Sequence, residues 1–78
     1  MALGPQLALE EKEAKHKIYK TLKNLGEGYS QILRLKYYHG LSMVEIALKL
    51  KTSVKAVESK LSRAREAFRL EWRKAKLF

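Results

Sequence analysis

Two helix signals with almost nothing between them constrain this chain more than any other feature. Ser42-x-x-Glu45 spells a capping box: the serine hydroxyl accepts from the backbone N–H three residues on, and the glutamate reaches back to the serine N–H. Met43, Ile46, Ala47 and Leu50 then form the inner stripe of a helix predicted over about 43–50. Only Lys51-Thr52 intervene before Ser53, a second good N-cap. Beyond it Val54, Val57, Leu61, Ala64, Phe68 and Trp72 recur at spacings of three and four, which predicts a helix continuing to about Ala75. Helices joined by so short a turn must cross steeply, and that arrangement is a helix-turn-helix.

Upstream, Leu7, Ala14, Ile18, Leu22 and Leu25 recur at helical spacing and predict a first helix over about 7–24. Residues 1–6 read as a flexible leader, because Gly4-Pro5 breaks helix. Gly26-Glu27-Gly28 ends the first helix, and a second is expected over about 28–38 with Tyr29, Ile32, Leu33 and Leu35 turned inward. His39-Gly40 supplies the next turn, with Gly40 suited to the left-handed conformation found just past helix ends. Phe68 and Trp72 continue the core stripe, so they are expected to pack against the first helix rather than to serve as a stacking surface. Strand-like alternation is missing throughout, and the expected class is all-α: one small four-helix domain over 7–78 that contains the helix-turn-helix.

Composition narrows the chemistry. The 78 residues contain no Cys and no Asp, and the eight Glu are scattered among basic residues without a paired acid and base. A disulfide and a thiolate metal site are therefore excluded, and no phosphate-cradling glycine loop is present. We expect no enzyme, no catalytic residue, no metal, no cofactor and no small-molecule substrate. No run approaches the roughly 20 apolar residues that cross a bilayer, and the start lacks the basic and apolar regions of a signal peptide. A soluble, cytoplasmic protein without a membrane partner is expected. The net charge of +9 is uneven, with ten Lys/Arg against three Glu between Lys49 and Lys76. A concentrated basic face suits a polyanion through release of condensed counterions, and among nucleic acid, anionic membrane and plain solvated surface the first is favoured.

The wording of the motif is more specific than its geometry. Gly40-Leu41-Ser42-x-x-Glu45-Ile46-Ala47 followed by Val57-x-Ser59-x-Leu61-Ser62-Arg63-Ala64-Arg65 resembles region 4 of a bacterial sigma factor of the sigma-70 superfamily, above all the extracytoplasmic-function group. The preceding Ile32-Leu33-x-Leu35-Lys36-Tyr37 resembles the family's segment leading into the glycine turn, and the likeness runs from about Leu25 to Arg69. It implies a C-terminal DNA-binding domain that binds the upstream, minus-thirty-five promoter element and docks on the beta flap of the RNA polymerase core. It also implies that an anti-sigma factor can mask the domain. Three positions depart from the family pattern: Gly26 stands where proline is usual, Lys51 where glycine commonly makes the turn, and Glu58 where a basic residue is frequent. The first predicts a looser start to the second helix. The second costs about 1 kcal/mol if φ must be positive there. Two other readings remain open: the output domain of a LuxR/NarL-type regulator, and a protein-interaction module bound by polymerase or an anti-sigma factor. The helix running on through Arg69-Leu70-Glu71-Trp72-Arg73 counts against the LuxR/NarL reading, because that family usually breaks its recognition helix with a glycine.

On a helix starting at Val54, residues 55, 58, 59, 62, 63 and 66 lie away from the apolar stripe, and its first two turns would enter a major groove. Arg63 is the leading base reader, since its planar fork matches the O6/N7 edge of guanine; a phosphate contact is the alternative. By the resemblance Glu58, Ser59 and Ser62 also face base edges. Glu58 could accept from a cytosine amino group, or pair with Ser62 or Arg63. Lys55, Lys60 and Arg65 are expected to hold phosphates, as is Ser42 at the third helix N-terminus. Glu45 is read as a cap. Tyr37 and Tyr38 are adjacent and cannot both face inward, so one is expected to expose its hydroxyl near the DNA or polymerase side. His16 and His39 are expected at the surface.

Overall fold

Four helices form in the computed structural model, which describes the backbone of residues 5–74 and the side chains of residues 11–74. Helix α1 spans Pro5–Asn24. Pro5 opens this helix instead of breaking it, because a first-turn residue has no intrahelical N–H bond to lose and the proline φ suits the helix. Pro5 and Gln6 are thus helical, whereas leader residues 1–4 and the expected helix end near Ala75 lie outside the described residues. Helix α2 covers Glu27–Leu33 and runs directly into a π-helical turn at Arg34–Tyr38. Helix α3 spans Met43–Leu50 and α4 spans Val54–Lys74. The described residues contain no strand.

The turns are set by the residues expected to set them, with one difference. Gly40 adopts φ 68° after the π turn. Lys51 is left-handed at φ 55°, ψ 50°, and the Thr52 N–H donates to the Ala47 carbonyl at 2.9 Å while the Lys51 N–H reaches that of Leu48 at 3.3 Å. This is the paired closure in which a left-handed residue ends a helix, made here by a residue that carries a Cβ. Gly26 is the difference. It stands at φ 89°, ψ 156° as the cap of α2, and the Ser30 N–H donates to its carbonyl at 3.1 Å. Proline cannot adopt that φ, so Gly26 is a specific turn former rather than a loosened replacement for proline.

Ile32, Leu33 and Leu35 meet Ile46, Ala47, Val57, Leu61 and Ala64 in one buried cluster, ringed by Leu22, Leu25, Tyr29, Leu41, Met43, Leu50 and Phe68. The α2–π segment crosses α4 obliquely: its Gly28 end lies beside Lys60, and its Tyr37 end reaches Arg65 on the other flank. Among its described side chains, helix α1 joins this core through its last turns. Thr21 is fully buried, its hydroxyl donating to the Lys17 carbonyl at 2.7 Å. Ala14 and Ile18 are exposed, contrary to the expected stripe, because the covered side of α1 runs through Glu13, Lys17 and Thr21, with Lys17 over Trp72 of α4. Val54 is likewise at the surface, as the first residue of α4.

Candidate nucleic-acid interface

Helix α4 is held at its start by Ser53, whose hydroxyl accepts from the Ala56 N–H at 3.0 Å. Val57, Leu61 and Ala64 sink into the core with at most 1% exposure and so fix the rotation of the helix. That rotation turns Lys55, Glu58, Ser59, Ser62, Arg63 and Glu66 to solvent on the opposite face. The polar bonds of α4 involve Ser53, Arg65, Glu66, Arg69, Glu71 and Lys74. Lys55, Glu58, Ser59, Ser62 and Arg63 therefore have no protein partner among the described residues. Glu58 pairs with neither Ser62 nor Arg63. Glu66 is taken by Arg69 at 3.3 Å, which leaves Arg63 unneutralised although Glu66 stands three residues on.

The predicted phosphate contacts do not share one environment. Lys55 projects from the first turn of α4 and is exposed. Lys60 leans back onto α2 and is half-buried, its Nζ only 3.3 Å from where a Cβ on Gly28 would stand. Arg65 lies on the opposite flank, and its Nε–H donates to the Tyr37 hydroxyl at 2.5 Å. Ser42 closes the capping box: the Glu45 N–H donates to its hydroxyl at 3.1 Å, and its own N–H donates to Glu45 Oε1 at 2.9 Å. The Ser42 backbone N–H, followed by the Ser42 side chain, holds the Glu45 carboxyl below the usual carboxylate range. A carboxylate already sits over this helix end and engages both the backbone N–H and the side chain of Ser42, so an anion gains the Ser42 hydroxyl proton only by displacing Glu45 from it.

Sequence reasoning did not place Tyr37. Both Tyr37 and Tyr38 are exposed, at 61% and 83%, and only Tyr37 turns toward α4. The cause is the π turn, closed by the His39 N–H to the Arg34 carbonyl at 2.9 Å, five residues back. Its wider winding makes each later side chain lag behind α-helical register, so Tyr37 stays nearer the face of Ile32 and Leu33.

The face assembled in this way is a short capped helix bracing a longer one with a polar, cation-flanked outer surface, and a family model described as "Sigma-70, region 4" matches residues 15–68. The chain belongs to the sigma-70 region 4 family. Neither curated proteins nor solved structures give a significant match. Region 4 is a DNA-binding unit of sigma factors and not a catalytic family, so the general function is DNA binding in transcription, with promoter DNA and RNA polymerase as the family's partners. Among the described residues of this region 4, no helix is long and apolar enough to cross a membrane.

Proposed function

We propose that this region 4 domain recognises the upstream, minus-thirty-five promoter element as part of an extracytoplasmic-function sigma factor, and so works in the cytoplasm. The observation that carries the reading is the row Glu58, Ser59, Ser62 and Arg63, exposed together on α4 and without protein partners among the described residues. Arg63 reads guanine, Glu58 accepts from a cytosine amino group, and the two serines adapt to either base. Lys55, Lys60, Arg65 and the Ser42 hydroxyl hold phosphates and fix the register. The unbroken course of α4 through Lys74 favours this reading over a LuxR/NarL-type output domain.

So small a set of base readers does not find a promoter among a genome of competing sites without a tether. In this proposal the tether is the beta flap of RNA polymerase. Exposed apolar residues on the first three helices dock it, among them Ile18, Tyr19, Val44 and Leu48. An anti-sigma factor would compete for this surface or for the α4 face. The test is selection of duplexes from a random pool by the full chain, with and without isolated flap. A consensus that sharpens with flap is expected. Nanomolar, sequence-specific binding by the chain alone, with no flap binding, would instead make it an independent regulator. Flap binding without any sequence preference would leave a protein-interaction module.

A further inference from the structure

We propose that Tyr37 and Arg65 act as one preassembled clamp for a DNA backbone phosphate, with the tyrosine hydroxyl as a direct donor to it. The inference rests on the DNA-binding reading above and adds to it a residue from outside the helix-turn-helix.

An arginine carries five N–H groups and accepts nothing. The Nε–H of Arg65 is directed at the Tyr37 oxygen, so four N–H groups of the guanidinium remain. Because Arg65 cannot accept, the Tyr37 hydroxyl hydrogen must point elsewhere. A phenol oxygen that already accepts from a cation is also a stronger donor through its own hydrogen. Five donors and one positive charge therefore converge at a single exposed place.

Among the described residues no carboxylate pairs with Arg65. The residues three and four positions from Arg65 along α4 are Leu61, Ser62, Phe68 and Arg69, none of them a carboxylate. The neighbouring Glu66 is paired with Arg69, and Tyr37 is flanked by Lys36 and Tyr38. Arg65 stands on the flank of α4 shared by Glu58 and Ser62, beside the face offered to base edges, where a groove-bound helix meets the bordering backbone. The Tyr37 bond holds the long arginine side chain before DNA arrives, so less rotamer freedom is lost when the phosphate binds. The π turn supplies the geometry, and such turns concentrate where a side chain must be re-aimed for function.

The test measures binding of labelled duplexes by the full chain across a salt series, with helical content and melting checked for each variant. Tyr37→Phe removes one oxygen and no charge. It should weaken binding about fivefold to tenfold on selected and scrambled duplexes alike, with the salt slope unchanged. Arg65→Ala should weaken it more and lower the slope by about 0.9, and adding Tyr37→Phe to Arg65→Ala should cost no more than about twofold further. Neutral methylphosphonate placed at each backbone position in turn should find one site that weakens the wild type and leaves both single variants indifferent, an outcome a purely structural tyrosine would not give. Tyr37→Phe within twofold of wild type beside a weakened Arg65→Ala overturns the clamp, as do two silent variants beside a weakened Lys55→Ala; in both cases DNA binding itself stands. Failure of the wild type to bind any duplex removes the DNA-binding reading, and the clamp with it.

Discussion

Lys17 Nζ sits 4.0 Å from the centroid of the Trp72 indole, which fastens the first helix to the far end of α4. Trp72 in turn stacks on Phe68, with ring centroids 5.7 Å apart and planes inclined by 22°. The apolar stripe of α4 thus continues past the helix-turn-helix and becomes the seat for α1. Lys17→Ala should cost about 0.5–1 kcal/mol. Trp72→Ala should cost about 2 kcal/mol, less than the 3–5 kcal/mol of a fully buried aromatic because this ring is half-buried. Urea denaturation of both variants decides it: equal losses would mean that the indole is not packed.

Leu61 is fully buried at the centre of the crossing of α2, α3 and α4. Leu61→Ala should destabilise the domain by about 2–5 kcal/mol. A loss below about 0.5 kcal/mol would place the residue at the surface and undo the rotation that presents Arg63.

Two turns carry opposite predictions. At Lys51 a side chain occupies a left-handed position, so Lys51→Gly should gain up to about 1 kcal/mol, the relief of φ strain exceeding the entropy that glycine loses on folding. At Gly26 the φ of 89° is closed to proline, and Gly26→Pro should cost more than about 1 kcal/mol. Thermal melts of the two variants should move in opposite directions.

The Glu45 carboxyl is depressed by the Ser42 backbone N–H and then by the Ser42 side chain. A group whose folded pKa lies below its unfolded value contributes stability above the unfolded pKa, and that stability is lost as pH falls through the folded pKa. The domain should therefore weaken in acid, from the ordinary glutamate range downward. Glu45→Gln, which keeps an acceptor for the Ser42 N–H, should show a flatter acid limb in stability-against-pH titrations. Parallel limbs for variant and wild type would remove Glu45 from the effect.

On DNA the three cations should separate. Arg63→Ala should cost about 1–3 kcal/mol on the selected site and relax preference at one base pair. Lys55→Ala should weaken all sequences alike and lower the salt slope by about 0.9. Lys60→Ala should do the same to a smaller degree, because its ammonium leans over Gly28. Salt-dependent binding on selected and scrambled duplexes reads all three, and equal losses on both duplexes for Arg63→Ala would end its base-reading role.

Much of this was legible in the chain because it is local. The Ser42–Glu45 box, the Ser53 cap and the left-handed Gly40 depend on residues three or four positions apart, and α3 spans Met43–Leu50 as its pattern predicts. The period of Val57, Leu61 and Ala64 alone set which side of α4 faces water, since each residue of a helix turns by a fixed angle. What required the tertiary structure depends on neighbours distant in sequence. The π turn at Arg34–Tyr38 has no sequence marker, and within it Leu35 is buried in the shared core with Leu41 packed against that core. From that turn follows the meeting of Tyr37 with Arg65, 28 residues away. The oblique crossing of α2 over α4 brought Gly28 to Lys60 and drew that cation toward the protein. Hydrophobic period assigns a side chain to a face, but where its polar tip goes is decided by whichever helix lies across that face, and only packing determines that.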